Sequence, residues 1–229
     1  MQHPSENARS AAFQYWRLSH IVEKSAERST LGMRTLHVGA SHTGNNPNKR
    51  TLGYRVSHYA AIGEVLDVVG STHEVEARIH NLREKSANGI DDIGVVNFAF
   101  FLHNLETDDR IKNFLDDLRV IAPNAVHLMM DYTLGDVDES HAHEHLKADS
   151  EYDQITKKTL PEFLRQHRVF TRQKLQQLFY AVGWNNVSLA PLGAARAVIV
   201  ASENNPLAMQ DNFAPLVEQA RESIRPVAA

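Results

Sequence analysis

From Ile93 to Leu134 the chain sets two apolar runs around one amphipathic segment. Val95, Val96, Phe98 and Phe100 make up the first run, and Val126, Leu128 and Met130 the second. Between them Ile111, Phe114, Leu115, Leu118 and Ile121 recur at steps of three and four, on one face of a helix over Asp108 to Ile121. Thr107, followed by Asp108 and Asp109, suits an N-cap at the positive helix end, and Pro123 bars continuation. Strands apolar on nearly every residue, joined by a helix, are what a parallel sheet covered on both faces requires. The segment predicts an α/β architecture.

The flanking patterns extend it. Residues 1 to 10 are polar and read as a loose terminus. A helix is predicted over Ala11 to Arg28, with Phe13, Tyr15, Trp16, Leu18, Ile21 and Val22 as its apolar surface. Leu36 and Val38 form a short strand that runs into the turn Gly39 to Gly44, and a helix over Thr51 to Ile62 follows. Glu64 to Ser71 reads as a strand and His73 to Ala87 as a helix. Further on, Asp153 to Gln166 predicts a connecting helix. Thr171 caps another, in which Leu175, Leu178, Phe179 and Val182 form a stripe and Gly183 supplies the stop. Val187 and Leu189, then Ala197, Ile199 and Ala201, form a strand pair. Phe213, Leu216 and Val217 mark a final helix. By alternation Phe98 and Phe100 share one strand face, and Asn97 and Ala99 the other.

Composition narrows the class. At 229 residues one α/β domain buries an ample core, and the division expected is a helical extension over 1–30 and an α/β domain over 31–229. A net charge of −4 gives no basic footprint for nucleic acid. The absence of cysteine removes disulfides, thiolate zinc sites and cysteine nucleophiles. No apolar run reaches the length of a membrane span, and MQHPSENARS has no signal-peptide core. A soluble, cytoplasmic protein is expected.

Two stretches carry a family pattern. NFAFFLHNLETDDRIKNFLDDLRVIAPNAVHLMMDYTL resembles the fourth strand, following helix and fifth strand of class I S-adenosylmethionine (SAM)-dependent methyltransferases. HRVFTRQKLQQLFYAVGWNNVSLAPLGAARAVIVASE, from His167 to Glu203, resembles that fold's last helix and terminal antiparallel strand pair. The resemblance implies a Rossmann-like, mostly parallel sheet with helices on both faces, a C-terminal antiparallel strand pair and an N-terminal helical lid. It also implies SAM as cofactor. Gly39, Ser41, Thr43 and Gly44 fall at the amino-acid end of that cofactor, Ser71 and Thr72 at its ribose, and Phe98 beside it. Asn97 falls near the reacting centre, and His103 and Tyr132 on the acceptor side. The turn from Gly39 to Gly44 lacks the middle glycine of the family's motif, His37 stands where the family has an acid, and the third strand has no counterpart.

The remaining candidates leave alternatives open. Tyr15 and Trp16 are either lid residues over the acceptor or aromatics packed on the domain. His141, His143 and His145 alternate among Asp138, Glu139 and Glu144. In an extended segment the three imidazoles share a side, as a zinc site would need. Alternatively one of them, His141 or His143, acts as a general base, or the segment is solvated and without chemistry; no metal is assigned. The reaction implied is methyl transfer to an oxygen or nitrogen of a small molecule, a transferase activity suited to small-molecule biosynthesis. Two alternatives are intramolecular cyclisation of the aminobutyrate chain of SAM, releasing methylthioadenosine, and a non-catalytic partner subunit. The final helix either packs on the domain or joins two copies in a homodimer. Neither nucleic acid nor membrane is expected as a partner.

Overall fold

A computed structural model describes residues 4–27, 34–40, 64–86, 89–134, 168–192 and 195–222, with positions 144, 161, 162 and 165 besides. Its strands are β1 (Arg34–Ala40), β2 (Glu64–Gly70), β3 (Ile93–Ala99), β4 (Val126–Leu134), β5 (Phe170–Thr171), β6 (Asn186–Pro191) and β7 (Arg196–Ser202). The helices are α1 (Pro4–Glu27), α2 (Thr72–Lys85), α3 (Asp108–Ile121), α4 (Arg172–Ala181) and α5 (Gln210–Glu222). The helices predicted over 51–62 and 153–166 lie outside the described residues.

The seven strands form one sheet in the order β2-β1-β3-β4-β7-β6, with β5 paired to the end of β4. Strands β1 to β4 are parallel, while β7 runs antiparallel to both β4 and β6. The predicted antiparallel pair therefore closes one side. Strand β3 is buried along nearly its whole length and β7 throughout, which explains their unbroken apolar runs. Strand β2 alternates poorly and is half exposed, and no described strand pairs with its outer edge.

Two cores result, one on each face. Leu36, Val38, Val96 and Phe98 pack with Val75 and Ile79 of α2, Phe114 and Leu118 of α3 and Phe179 of α4. On the opposite face Ala99, Leu128, Met130, Val198 and Val200 pack with Tyr15, Leu18 and Val22 of α1 and Phe213 and Val217 of α5. Each amphipathic stripe thus meets its own side of the sheet.

Local chemistry sets the ends. Thr107 accepts the Arg110 amide at 3.2 Å to cap α3, and Thr171 caps α4 through Lys174 at 3.1 Å. At α2 the cap is a full capping box, in which Glu74 accepts the Ser71 amide and Ser71 accepts the Glu74 amide. Gly183, at φ +95°, terminates α4 in the left-handed conformation. One boundary departs from the sequence pattern. α1 begins at Pro4, not Ala11; proline suits a first helical turn, where its missing N–H costs nothing.

A second departure concerns Phe100. Alternation placed it on the face of Phe98, yet it joins the opposite core with Tyr15 and Met130. Its φ of +55° is the cause: the left-handed residue turns the chain over immediately after β3.

Candidate active site

The strand order reverses direction at β1. Strand β2 lies on one side of it and β3 on the other, the topological switch point outside whose carboxyl ends open parallel sheets bind ligands. The residues at this point are small: β1 reaches its end through buried Gly39, and β3 ends in buried Ala99. Small residues let a ligand approach the backbone closely.

Immediately after β3 Phe100 holds a left-handed conformation that costs a bulky residue about 1–2 kcal/mol. Strain of this kind persists only where surrounding contacts over-determine it, and here they do. The Phe100 amide donates to Met130 O at 2.8 Å, and Asn104 Nδ2 donates to Phe100 O at 3.2 Å. The turn delivers His103 to the end of β4.

His103 is fixed on every side. Its Nδ1 donates to Asp131 Oδ1 at 2.8 Å, and its backbone N–H to Asp131 Oδ2 at 3.1 Å. The Arg168 amide donates to its carbonyl at 2.9 Å. Tyr132 and Phe100 meet the imidazole edge-on, with ring centroids at 5.0 and 6.5 Å. Both His103 and Asp131 are almost wholly buried. Asp131 takes a third hydrogen bond from the Tyr132 amide at 2.8 Å, so its carboxylate is well satisfied without water. The Arg196 guanidinium, also buried, lies 5.8 Å from the ring centroid of Phe100 and 5.6 Å from that of Tyr132, close enough for attraction to the π faces.

The other predicted site residues divide. His103 and Tyr132 come together at this cluster, and Gly39 lies at the neighbouring strand end. Ser71 serves the α2 cap, with Thr72 as the first residue of that helix. Asn97 and Tyr15 meet inside the molecule. Tyr15 OH donates to Asn97 Oδ1 at 2.5 Å, and Asn97 Nδ2 donates to Ser19 Oγ. All three are fully buried. The Asn97 amide thus pins α1 to the sheet, which is why an apolar strand tolerates it. Tyr15 anchors α1 to β3 and β4. Trp16 is half-buried and stacks on Phe13 and His20. Phe98 is a core residue, edge-on to Phe114 at 6.1 Å. Ser41, Thr43, Gly44, His141 and His143 lie outside the described residues.

Asp131, Arg168 and Arg196 carried no assignment from the sequence. Asp131 left one signal, an acid directly after the apolar run Leu128 to Met130 of β4. Elsewhere, a surface hollow of about 450 Å³ between α2 and α3 is lined by His73, Glu76, His80, Arg110 and Asp117. Its acids are committed, Glu76 to Arg110 and Asp117 to Arg83 and His80, so it reads as a salt-bridged helix seam.

The fold is Rossmann-like. No protein-family model matches the chain, and no curated protein matches it significantly. Solved structures resemble it at low identity. PigF with SAH is 13% identical over 79% of this chain, at a TM-score of 0.46. A SAM-dependent methyltransferase from Aquifex aeolicus is 16% identical over 88%, at 0.43. Human N-acetylserotonin methyltransferase in complex with SAM is 11% identical over 81%, at 0.43. The chain spans 98% of the Aquifex protein but only 64% of PigF and 52% of the human enzyme. At such identities and TM-scores the likeness carries no argument about this chain. Among the described residues no helix is long and apolar enough to cross a membrane.

Proposed function

We propose that the protein is a SAM-dependent methyltransferase that methylates an oxygen or nitrogen of a small molecule, with His103 as general base. The observation that carries this is the His103–Asp131 pair, immobilised where β3 ends and β4 nears its own end, next to the switch point at β1. His141 and His143, the candidates from the sequence, lie outside the described residues, whereas His103 has its orienting acid in Asp131.

With Nδ1 bonded to Asp131, proton uptake falls to Nε2, the geometry of a base oriented by a carboxylate. Asp131 fixes the tautomer and stabilises the imidazolium that forms. His103 removes the proton of the acceptor hydroxyl or amine as that atom's lone pair takes up the methyl group. Gly39 and Ala99, both small, would let the donor approach the strand ends, and Ser41, Thr43 and Gly44 are proposed to contact its amino-acid end. A bound SAM supplies an electrophilic methyl carbon. Alignment of the acceptor contributes much of the rate, and a soluble cytoplasmic setting suits such chemistry.

The test incubates the protein with SAM and a panel of phenols and amines and follows the products by mass spectrometry, beside a no-acceptor control. Methylated product with equimolar S-adenosylhomocysteine supports the reading, and His103→Gln is expected to lower turnover about 100- to 10,000-fold while SAM affinity stays within twofold. Methylthioadenosine accumulating without acceptor would sink methyl transfer in favour of cyclisation. Undiminished turnover in His103→Gln would remove His103 as the base.

A further inference from the structure

His103 is held by Asp131 from one side and by the peptide of Arg168 from the other. What holds Arg168 is a carboxylate on a different element. Arg168 Nη2 donates to Asp108 Oδ1 at 2.6 Å, and Lys174 Nζ donates to Asp108 Oδ2. Asp108 is the first residue of α3, next to its cap Thr107. Lys174 lies in the first turn of α4, a turn with no acid of its own. One carboxylate therefore serves two cations at the meeting point of two helix N-termini, where negative charge is favoured. Those hydrogen bonds, from Lys174 and then Arg168, hold the Asp108 carboxyl below its ordinary range.

The segment so fixed is strategic. Arg168 stands two residues before β5, whose Phe170 and Thr171 pair with Thr133 and Leu134 at the end of β4. Its guanidinium lies 5.5 Å from the Phe170 ring centroid. Residues 168–171 thus touch His103 through the backbone, β4 just beyond Asp131 through the sheet, and α3 through the side chain. A shift of this segment moves the carbonyl anchor of His103 and the strand end carrying Asp131 together.

The geometry points to Asp108 as a positioning residue of the candidate site, which clamps Arg168 so that its peptide N–H holds His103 in register with Asp131. This deepens the methyltransferase reading and rests on it for the role of His103. Misplacement of a base by about an ångström costs up to about a hundredfold in rate, so a loosened clamp acts on kcat more than on binding.

The experiment compares Asp108→Asn, Arg168→Ala, Arg168→Lys and Lys174→Met in the full chain. The His103 ring signal is followed by NMR in histidine-labelled protein, assigned by its loss in His103→Gln, together with kcat and KM for whichever acceptor the panel yields. Asp108→Asn and Arg168→Ala are expected to broaden that signal and change its chemical shift. They should also lower kcat about tenfold with KM and SAM affinity within twofold. Arg168→Lys is expected to restore most of the loss, and Lys174→Met, which leaves the Arg168 contact intact, to have the smaller effect. An unchanged His103 signal in Arg168→Ala, or an equal effect from Lys174→Met, would overturn the clamp. The NMR arm needs no turnover, so it judges the clamp even if His103→Gln proves fully active.

Discussion

Phe100 shows how one backbone angle builds the site. At φ +55° it breaks the alternation of β3, crosses to the other core and presents the turn carrying His103. Replacing it separates ring from backbone. Phe100→Ala and Phe100→Gly both lose the ring that packs on Tyr132 at 4.9 Å, but only glycine is at ease in this conformation. Phe100→Gly is expected to be about 1 kcal/mol more stable than Phe100→Ala in urea unfolding; equal stabilities would mean that the angle is not held in solution. His127 is a second informative residue. Burial pushes its imidazole down to about 4, with Nε2 donating to Ala122 O at 3.1 Å. It is therefore kept neutral in the fold, while the unfolded chain protonates it near 6.5.

Among the elements, α1 is the one whose attachment departs most from simple greasy packing. Tyr15 and Ser19 sit one turn apart and both bond Asn97, while Leu18 and Val22 bury beside them. Removing the amide takes one bond from the buried Ser19 hydroxyl and leaves Tyr15 OH its longer contacts with the carbonyls of Phe98 and Leu128, each at 3.3 Å, at about 1–3 kcal/mol. Asn97→Ala is expected to destabilise by about 2 kcal/mol or more, and Tyr15→Phe by about 1 kcal/mol. In a double-mutant cycle the two should couple by at least about 0.5 kcal/mol. Full stability in Asn97→Ala with a lost turnover would instead return Asn97 to the catalytic role that its position in β3 first suggested. The α2 cap makes a milder case: Ser71→Ala should cost about 1 kcal/mol, and if Ser71 also touches cofactor, SAM affinity will fall as well.

For the whole molecule these residues set an acid limit. As pH falls from the unfolded value of His127 towards 4, the unfolded chain binds a proton that the fold refuses, so stability drops. From pH 7.5 to 5 the loss is about 2 kcal/mol, and His127→Gln is expected to flatten that slope in urea titrations; a slope unchanged in the variant would assign it to another group. Asp108, whose carboxyl is lowered by Lys174 and Arg168, stabilises the fold above about pH 4 and ceases to as pH falls through its lowered value. Much of this architecture was legible in the chain. The periodicity of Ile111 to Ile121 gave α3 to the residue, and the apolar runs gave β3, β4 and the terminal strand pair, because burial on both faces leaves a continuous signature. The site was legible only in fragments. His103 and Tyr132 lay in the stretch that resembles the methyltransferases, but Asp131, Arg168 and Asp108 gained their roles through contacts across 28 and 60 positions of sequence. Asn97 illustrates the same limit from the other side: an amide in an apolar strand announces a partner without saying whether it is a ligand or a helix. Local pattern determined which segments become strands and helices. Which polar side chains face one another depended on strand order and on the reversal at Phe100, long-range geometry that no local periodicity encodes.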